Sequence, residues 1–217
     1  MKKKVLLLDI DGTIYDVPKS KKMFQNDLYK NLNIKKNILF PKIDQSFYEI
    51  REKTRYFDPS IFAEILSNKL NLNNKKEIKK AIWDIDKFNK CLYHDSKAFL
   101  SRIYKNLNIL IFSTGDKTFQ SLKLNSIKKY IKKNNIYIFT NKKLKLKRLI
   151  SKLKNQVIFV IDDSPEVINL AKKYNKSIVA ILIKRRICNT NYNYKKKNLA
   201  DYKVKNLISA VKIVQSY

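Results

Sequence analysis

The stretch Val5-Leu6-Leu7-Leu8-Asp9-Ile10-Asp11-Gly12-Thr13 decides how the rest of the chain is read. Four consecutive aliphatic residues, Val5 to Leu8, mark a strand buried on both faces. Asp9 and Asp11 follow, one residue apart. Strand side chains repeat every second residue, so both carboxylates are expected on the same side. Gly12 then permits a turn or a close backbone approach. An Asp-Gly hairpin turn would account for Asp11 and Gly12 but leaves Asp9 unexplained, because an acid directly after four aliphatic residues is costly without a partner. Two anions side by side at the end of a buried strand call for a cation, and a divalent metal is the natural choice.

The same pattern returns further along. Ile109 to Phe112 is a continuous apolar strand that ends in Ser113-Thr114-Gly115-Asp116. Ile136 to Phe139 is a third, short strand. Val157 to Ile161 is a fourth buried strand and ends in Asp162-Asp163-Ser164-Pro165. Ile178 to Ile183 is a fifth, and Val204 ends a short edge strand. Helical patterns lie between them: one capped by Asp95 or Ser96, one with Phe119, Leu122, Leu124 and Ile127, a basic one over 144–154, one after Pro165, and a last one from Leu207 to Val214. Apolar strands alternating with helices make an α/β fold with a parallel sheet and right-handed crossovers. Ligands in such sheets bind beyond the carboxyl ends of the strands. Three strand ends here carry polar residues, Asp9/Asp11, Ser113/Thr114 and Asp162/Asp163, and together they describe one site. The chain has only two glycines, and both, Gly12 and Gly115, stand at these strand ends.

Residues 18 to about 90 read as helical, with no strand pattern of any length. Met23, Phe24, Leu28 and Leu32 keep helical spacing. A second helix is expected to start at Asp44 and carry Phe47, Tyr48 and Ile50. Asp58-Pro59 starts a third, with Ile61, Phe62, Ile65, Leu66 and Leu70 as its apolar stripe. Ile78, Ile82, Trp83, Ile85 and Phe88 form one more stripe. The aromatic residues of this region read as core.

Composition bounds the rest. A chain of 217 residues with 44% hydrophobic content builds one sizeable core, or a domain with a smaller insertion. Two cysteines, Cys91 and Cys188, make no disulfide framework. No apolar run approaches membrane-spanning length, and the one after Lys2-Lys3-Lys4 is too short for a signal peptide and ends in an acid. The expectation is a reduced, soluble, cytoplasmic protein. The net charge is +30, from 48 basic and 18 acidic residues. Lysines occur in nearly every segment, as in a chain with a general Lys/Asn/Ile bias, so nucleic acid as a partner is possible but not favoured. Residues 117 to 217 hold 25 basic and four acidic residues, and three of those four are Asp162, Asp163 and Glu166. The basic, Asn- and Tyr-rich segment 184–198 reads as a loop.

These groups suffice for phosphoryl transfer. Asp9 can attack phosphorus as a nucleophile, and Asp11 can serve as general acid and then base. Asp162 and Asp163 can hold Mg²⁺ opposite Asp9. Ser113 and the backbone near Gly115 can bind phosphoryl oxygens, and a lysine can offset the charge of the transferred group. A Cys91/His94 pair lacks any third group to make it a thiol nucleophile, and His94 is the single histidine.

In this order the segments Asp9-Ile-Asp11-Gly12-Thr13, Ser113-Thr114-Gly115, a lysine near 143 and Asp162-Asp163 resemble the four motifs of the haloacid dehalogenase (HAD) superfamily. The resemblance spans residues 4 to 215. It implies a Rossmann-like core with helices on both faces, Mg²⁺ and an aspartyl-phosphate intermediate. It also implies a helical cap inserted between the first two motifs, so that residues 1–16 and 91–217 form the core and 17–90 the cap. The acid at position 11 matches the phosphatases of the superfamily, whose members that cleave carbon–halogen bonds usually lack it. Metal contacts would come from Asp9, the Asp11 carbonyl, Asp163, and Asp162 directly or through water. Substrate contacts would come from Ser113 or Thr114, Gly115 and Lys143, the last chosen among Lys142, Lys143, Lys145 and Lys147 by its distance to the following helix. The expected activity is hydrolysis of a small phosphorylated metabolite. The alternatives are action on a nucleic-acid end, a polyanion-binding protein of the same fold, or phosphotransfer of the phosphomutase type.

Overall fold

The computed structural model describes residues 3–54, 56–72, 75–185 and 199–217. Among the described residues six strands form one sheet: β1 (Lys4–Leu8), β2 (Asn108–Thr114), β3 (Ile136–Phe139), β4 (Val157–Asp162), β5 (Val179–Ile183) and β6 (Tyr202–Val204). Their spatial order is β3-β2-β1-β4-β5-β6, and every pairing is parallel. The chain first builds outward from β1 through β2 to β3, then returns to the other side of β1 for β4. This reversal puts β1 between β2 and β4, which is where ligands bind in open parallel sheets. Leu8 is level with Ile111 on β2 and Ile161 on β4, so the polar ends of all three strands lie side by side.

β1 is buried on both faces, as four aliphatic residues in a row require. Leu6 and Leu8 face a core shared with α6 (Ser96–Ile103) and α10 (Leu207–Ser216), through Phe99, Leu100, Val211 and Val214. Val5 and Leu7 face the opposite core, filled by α8 (Lys142–Lys152) and α9 (Pro165–Tyr174) through Leu146, Leu149, Val167 and Ile168. The observed architecture is thus an open six-stranded parallel sheet covered on both faces, an α/β Rossmann-like fold.

Between β1 and β2 lie α1 (Val17–Leu32), α2 (Lys36–Thr54), α3 (Pro59–Leu70), α4 (Lys75–Ile82) and α5 (Ile85–Lys90). α1 and α3 start on the aspartates Asp16 and Asp58, whose side chains accept from Lys19 N and from Ser60 N and Ile61 N. Both end on an asparagine in the left-handed region, Asn33 (φ 50°) and Asn71 (φ 53°), where other chains place glycine. The chain enters and leaves this helical segment through two adjacent strips. Asp16 N donates to Cys91 O (2.7 Å), Tyr93 N to Ile14 O (3.0 Å) and Ser96 Oγ to Ile14 O (2.8 Å). No helix among the described residues is long and apolar enough to cross a membrane.

Several boundaries differ from the sequence reading. α2 starts at Lys36 rather than Asp44 and carries Pro41 inside it. Leu39 and Ile43 are fully buried and hold the first turns in place despite the missing donor. The stripe from Ile78 to Phe88 is two helices, because Asp84 turns its side chain onto Asp86 N and starts α5 afresh. The helix expected to run through Ile127 is α7 (Lys117–Lys123) followed by a 3₁₀ segment, Asn125–Tyr130. The basic helix α8 begins at Lys142, two residues before expectation, capped by Asn141. Asp95 precedes α6 but does not cap it. Its buried carboxylate instead pairs with Arg185 (2.8 Å) and accepts from Leu207 N (2.7 Å). Most of the expected loop 184–198, with Cys188, lies outside the described residues.

Candidate active site

The site is built from the loop after β1 and the ends of its two neighbours. Asp9 continues β1, its N–H donating to Ile161 O of β4 (3.1 Å). Asp162 closes β4 and Asp163 follows it. Asp9, Asp162 and Asp163 are all buried, and one carboxylate oxygen from each falls within 4.8 Å of the others. Gly12 (φ +75°) brings its backbone against this cluster. A Cβ there would overlap Asp163 Oδ2 and lie 2.8 Å from Asp163 Cγ. Glycine at 12 is therefore required by conformation and by space together.

Lys142 enters the cluster. Its Nζ lies 2.5 Å from Asp9 Oδ1 and 2.6 Å from Asp162 Oδ2, and the side chain is 9% exposed. Lys143, the residue expected here, points away and pairs with Glu166 at the surface. Lys145 and Lys147 are exposed. The placement of Lys142 follows from where α8 starts. Lys142 is one helical turn before Leu146, on the stripe with Leu149, Ile150 and Leu153 that packs on the sheet. The signal was present as an i, i+4 relation to Leu146, which a later helix start hides.

Burial pushes the Asp9 carboxyl up to about 7, with the Asp162 charge adding to this and Lys142 opposing it. Burial pulls Lys142 down, but the charges of Asp162 and Asp9 outweigh it and hold the ammonium above its ordinary range. Asp162 has both oxygens engaged, Oδ2 by Lys142 and Oδ1 by the Ser164 N–H (2.9 Å).

Asp11 is one strand residue pair further out and is held separately. Lys123 Nζ lies 2.6 Å from its Oδ1 and Gln120 Nε2 lies 2.7 Å from its Oδ2. Neither Gln120 nor Lys123 was singled out in the sequence. Their spacing of three on a helix that opens directly after Ser113-Thr114-Gly115-Asp116 is the signal that could have found them.

Ser113 and Gly115 sit at the end of β2, next to β1. Ser113 is buried, and Gly115 N donates to Phe139 O (2.9 Å). Thr114 Oγ1 accepts from the Lys142 N–H (3.3 Å), which ties the start of α8 to β2 and engages the Thr114 hydroxyl away from Ser113. Cys91 and His94 do not form a site. Cys91 is buried with its Sγ 3.5 Å from Met23 Sδ, and burial pushes its thiol up, whereas His94 is exposed.

The donor set fits a hard divalent cation. Among the described residues, three buried carboxylates converge without a thiolate or imidazole, which is the ligand chemistry of Mg²⁺.

No protein-family model matches the sequence, and no curated protein matches it. Solved structures do resemble the fold. A haloacid dehalogenase-like hydrolase from Burkholderia xenovorans LB400 superposes with a TM-score of 0.78 at 16% identity, over 98% of this chain and 99% of that one. The HAD-hydrolase YfnB from Bacillus subtilis, solved bound to magnesium, gives 0.65 at 14% identity over 99% of each chain. The L-2-haloacid dehalogenase RSc1362 gives 0.64 at 11% identity, over 99% of this chain and 100% of that one. The chain has the fold of the haloacid dehalogenase-like hydrolases, as its four motifs led us to expect.

Proposed function

We propose that the protein is a Mg²⁺-dependent phosphomonoester hydrolase that acts through an aspartyl-phosphate on Asp9. The observation that carries this reading is the convergence of Asp9, Asp162 and Asp163 around one centre, with Asp11 held beside it by its own partners. A second acid two residues after the first separates the phosphatases from the carbon–halogen hydrolases in the family that the motifs resemble. Asp9, the Asp11 carbonyl and Asp163 would hold the ion, with Asp162 behind them. Bound there, it would neutralise Asp9 and the phosphoryl oxygens, the charge stabilisation that phosphoryl transfer demands.

The chain's own groups account for the rest. Asp9, free on the side away from Lys142, presents a carboxylate oxygen to phosphorus. Lys142 holds that carboxylate and Asp162 in one orientation and lends positive charge to the transferred group. Ser113 and backbone N–H groups beside Gly115, whose own N–H is taken by Phe139 O, bind phosphoryl oxygens. Asp11 stands where it can exchange a proton with the leaving oxygen and then with water. Residues 17–90 act as the cap that covers the site and meets the leaving group, a small phosphorylated metabolite.

The test measures two products from the purified protein. Phosphate release from an aryl phosphate and a panel of phosphorylated metabolites is expected to require Mg²⁺ and to vanish in Asp9→Asn. Halide release from a 2-haloacid without Mg²⁺, and no phosphate from any ester, would overturn the reading in favour of a dehalogenase.

A further inference from the structure

α7 makes contacts at both the inserted helices and the site. Lys123 and Gln120 each bind one oxygen of Asp11, at 2.6 and 2.7 Å, and both are buried, 5% and 3% exposed. The Lys123 ammonium lies between two rings, 4.8 Å from the centroid of Tyr15 and 4.9 Å from that of Phe119. This cage favours the charged amine and fixes its direction. Gln120 is fixed as firmly, since Nε2 also donates to Thr114 O (2.8 Å). It occupies the space that a Cβ at position 115 would take. Such an atom would lie 2.7 Å from Gln120 Nε2 and 2.9 Å from its Cγ, so glycine at 115 is a condition for Gln120 to reach Asp11. On its other side α7 is gripped by the inserted helical segment. Phe119 meets Phe57, Trp83 and Phe88 with ring centroids 5.2, 5.9 and 5.2 Å away.

We infer that Lys123 and Gln120 are positioning residues for Asp11, and that they hold its carboxylate as an oriented proton acceptor for the hydrolytic half of the reaction. The inference rests on the phosphatase reading above. An ammonium has no lone pair, and the amide contributes only its NH₂ group, so both partners donate and Asp11 only accepts. Each oxygen of Asp11 keeps a further lone pair for a third donor, water. In that half-reaction the water oxygen bonds to phosphorus and the Asp9 O–P bond breaks, its electron pair returning to Asp9. The water proton passes to Asp11, and phosphate leaves. Formation of the aspartyl-phosphate from an ester with a good leaving group needs no proton from Asp11. The two half-reactions therefore depend on the clasp unequally, whereas a lysine that merely stabilised the fold would affect both alike.

The experiment follows 4-nitrophenyl phosphate with Mg²⁺ by rapid mixing in Lys123→Met, Lys123→Arg and Gln120→Leu. In Lys123→Met, first-turnover release of nitrophenolate is expected within about threefold of the parent protein, and steady-state turnover about tenfold lower or less, so that a burst of one equivalent per site becomes visible. Gln120→Leu should show the same split at smaller size, and Lys123→Arg should restore the steady state. Equal losses in both phases, or no rescue by arginine, would overturn the inference. A readout without turnover completes the test: a double-mutant cycle of Lys123→Met with Asp11→Asn by thermal unfolding of the metal-free protein. The clasp predicts that the double variant melts little below Lys123→Met alone, and additive losses refute it. A parent protein that releases no phosphate refutes the phosphatase reading instead and leaves this cycle to decide the contact.

Discussion

Asp9 and Asp11 are two residues apart on one loop, and each faces a buried lysine, but the two pairs are built differently. Lys142 reaches Asp9 from the first turn of α8, across the sheet from the inserted helices, and shares itself with Asp162. Lys123 reaches Asp11 from the last turn of α7, within an aromatic cage that continues into those helices. The first pair belongs to the sheet and the face covered by α8 and α9, and its partner acids are fixed by β1 and β4. The second depends on a helix whose position is set by Phe57, Trp83 and Phe88. The parallel sheet fixes the first pair, and the helices between β1 and β2 pack against the helix that carries the second.

Removing Lys142 is expected to break the comparison most severely. Lys142→Met leaves Asp9 and Asp162 facing each other without a cation. It should lower turnover by about a thousandfold or more and, in metal-free protein, destabilise the fold by about 3–5 kcal/mol, the usual cost of stripping one partner from a buried ion pair. Lys143→Met, which loses only a surface contact to Glu166, should stay within about twofold in turnover and about 0.5 kcal/mol in stability. Steady-state kinetics and chemical denaturation of the two variants check this, and equal losses would reassign the lysine.

A smaller effect is expected at the glycines, which sharpen the same division. Gly12→Ala must displace Asp163, a carboxylate of the first group, so Mg²⁺ affinity measured by calorimetry should fall by about tenfold or more. Gly115→Ala must displace Gln120, in the second group, and should leave Mg²⁺ affinity within about twofold while lowering turnover. A reversed pattern would mean that the two groups are not independent.

The mildest effect is one of pH. Asp9 has its carboxyl raised by burial from 3.8 to about 7, so between these values the folded protein binds a proton that the unfolded chain has lost. The contribution of Asp9 to stability is therefore greatest at low pH, declines as pH rises toward about 7, and levels off above it. Melting of the metal-free protein against Asp9→Asn, between about pH 5 and about pH 8, should show this decline in the parent only. Saturating Mg²⁺ should abolish it, because the bound ion favours the ionised carboxylate.

The strand-end acids were legible because their signal is short-range. An aspartate that ends an apolar run, as Asp9 and Asp162 do, is anomalous within a window of five residues, and the sheet order that sets β4 beside β1 brings the two together. Gly12 and Gly115 were legible for a related reason, since the chain places Asn33 and Asn71 at the helix ends that would otherwise use glycine. The lysine was not, because it depends on a helix boundary. A start at 144 exposes every candidate, and a start at 142 buries one of them. Gln120 and Lys123 were missed because their importance depends on the direction of α7, which is set by aromatic residues from about 30 to 60 positions earlier in the chain. α2 was misplaced for the opposite reason: Asp44 reads locally as a helix start, and the burial of Leu39 and Ile43 carries the helix back past Pro41 to Lys36.

The most direct test of the account is mass spectrometry of protein mixed with an aryl phosphate and Mg²⁺ and quenched in acid within the first turnover. One added phosphoryl group on the peptide that contains Asp9, labile to base and absent without Mg²⁺, is the predicted result. Phosphate release in steady state with no such adduct on Asp9, or an adduct on any other residue, would contradict it.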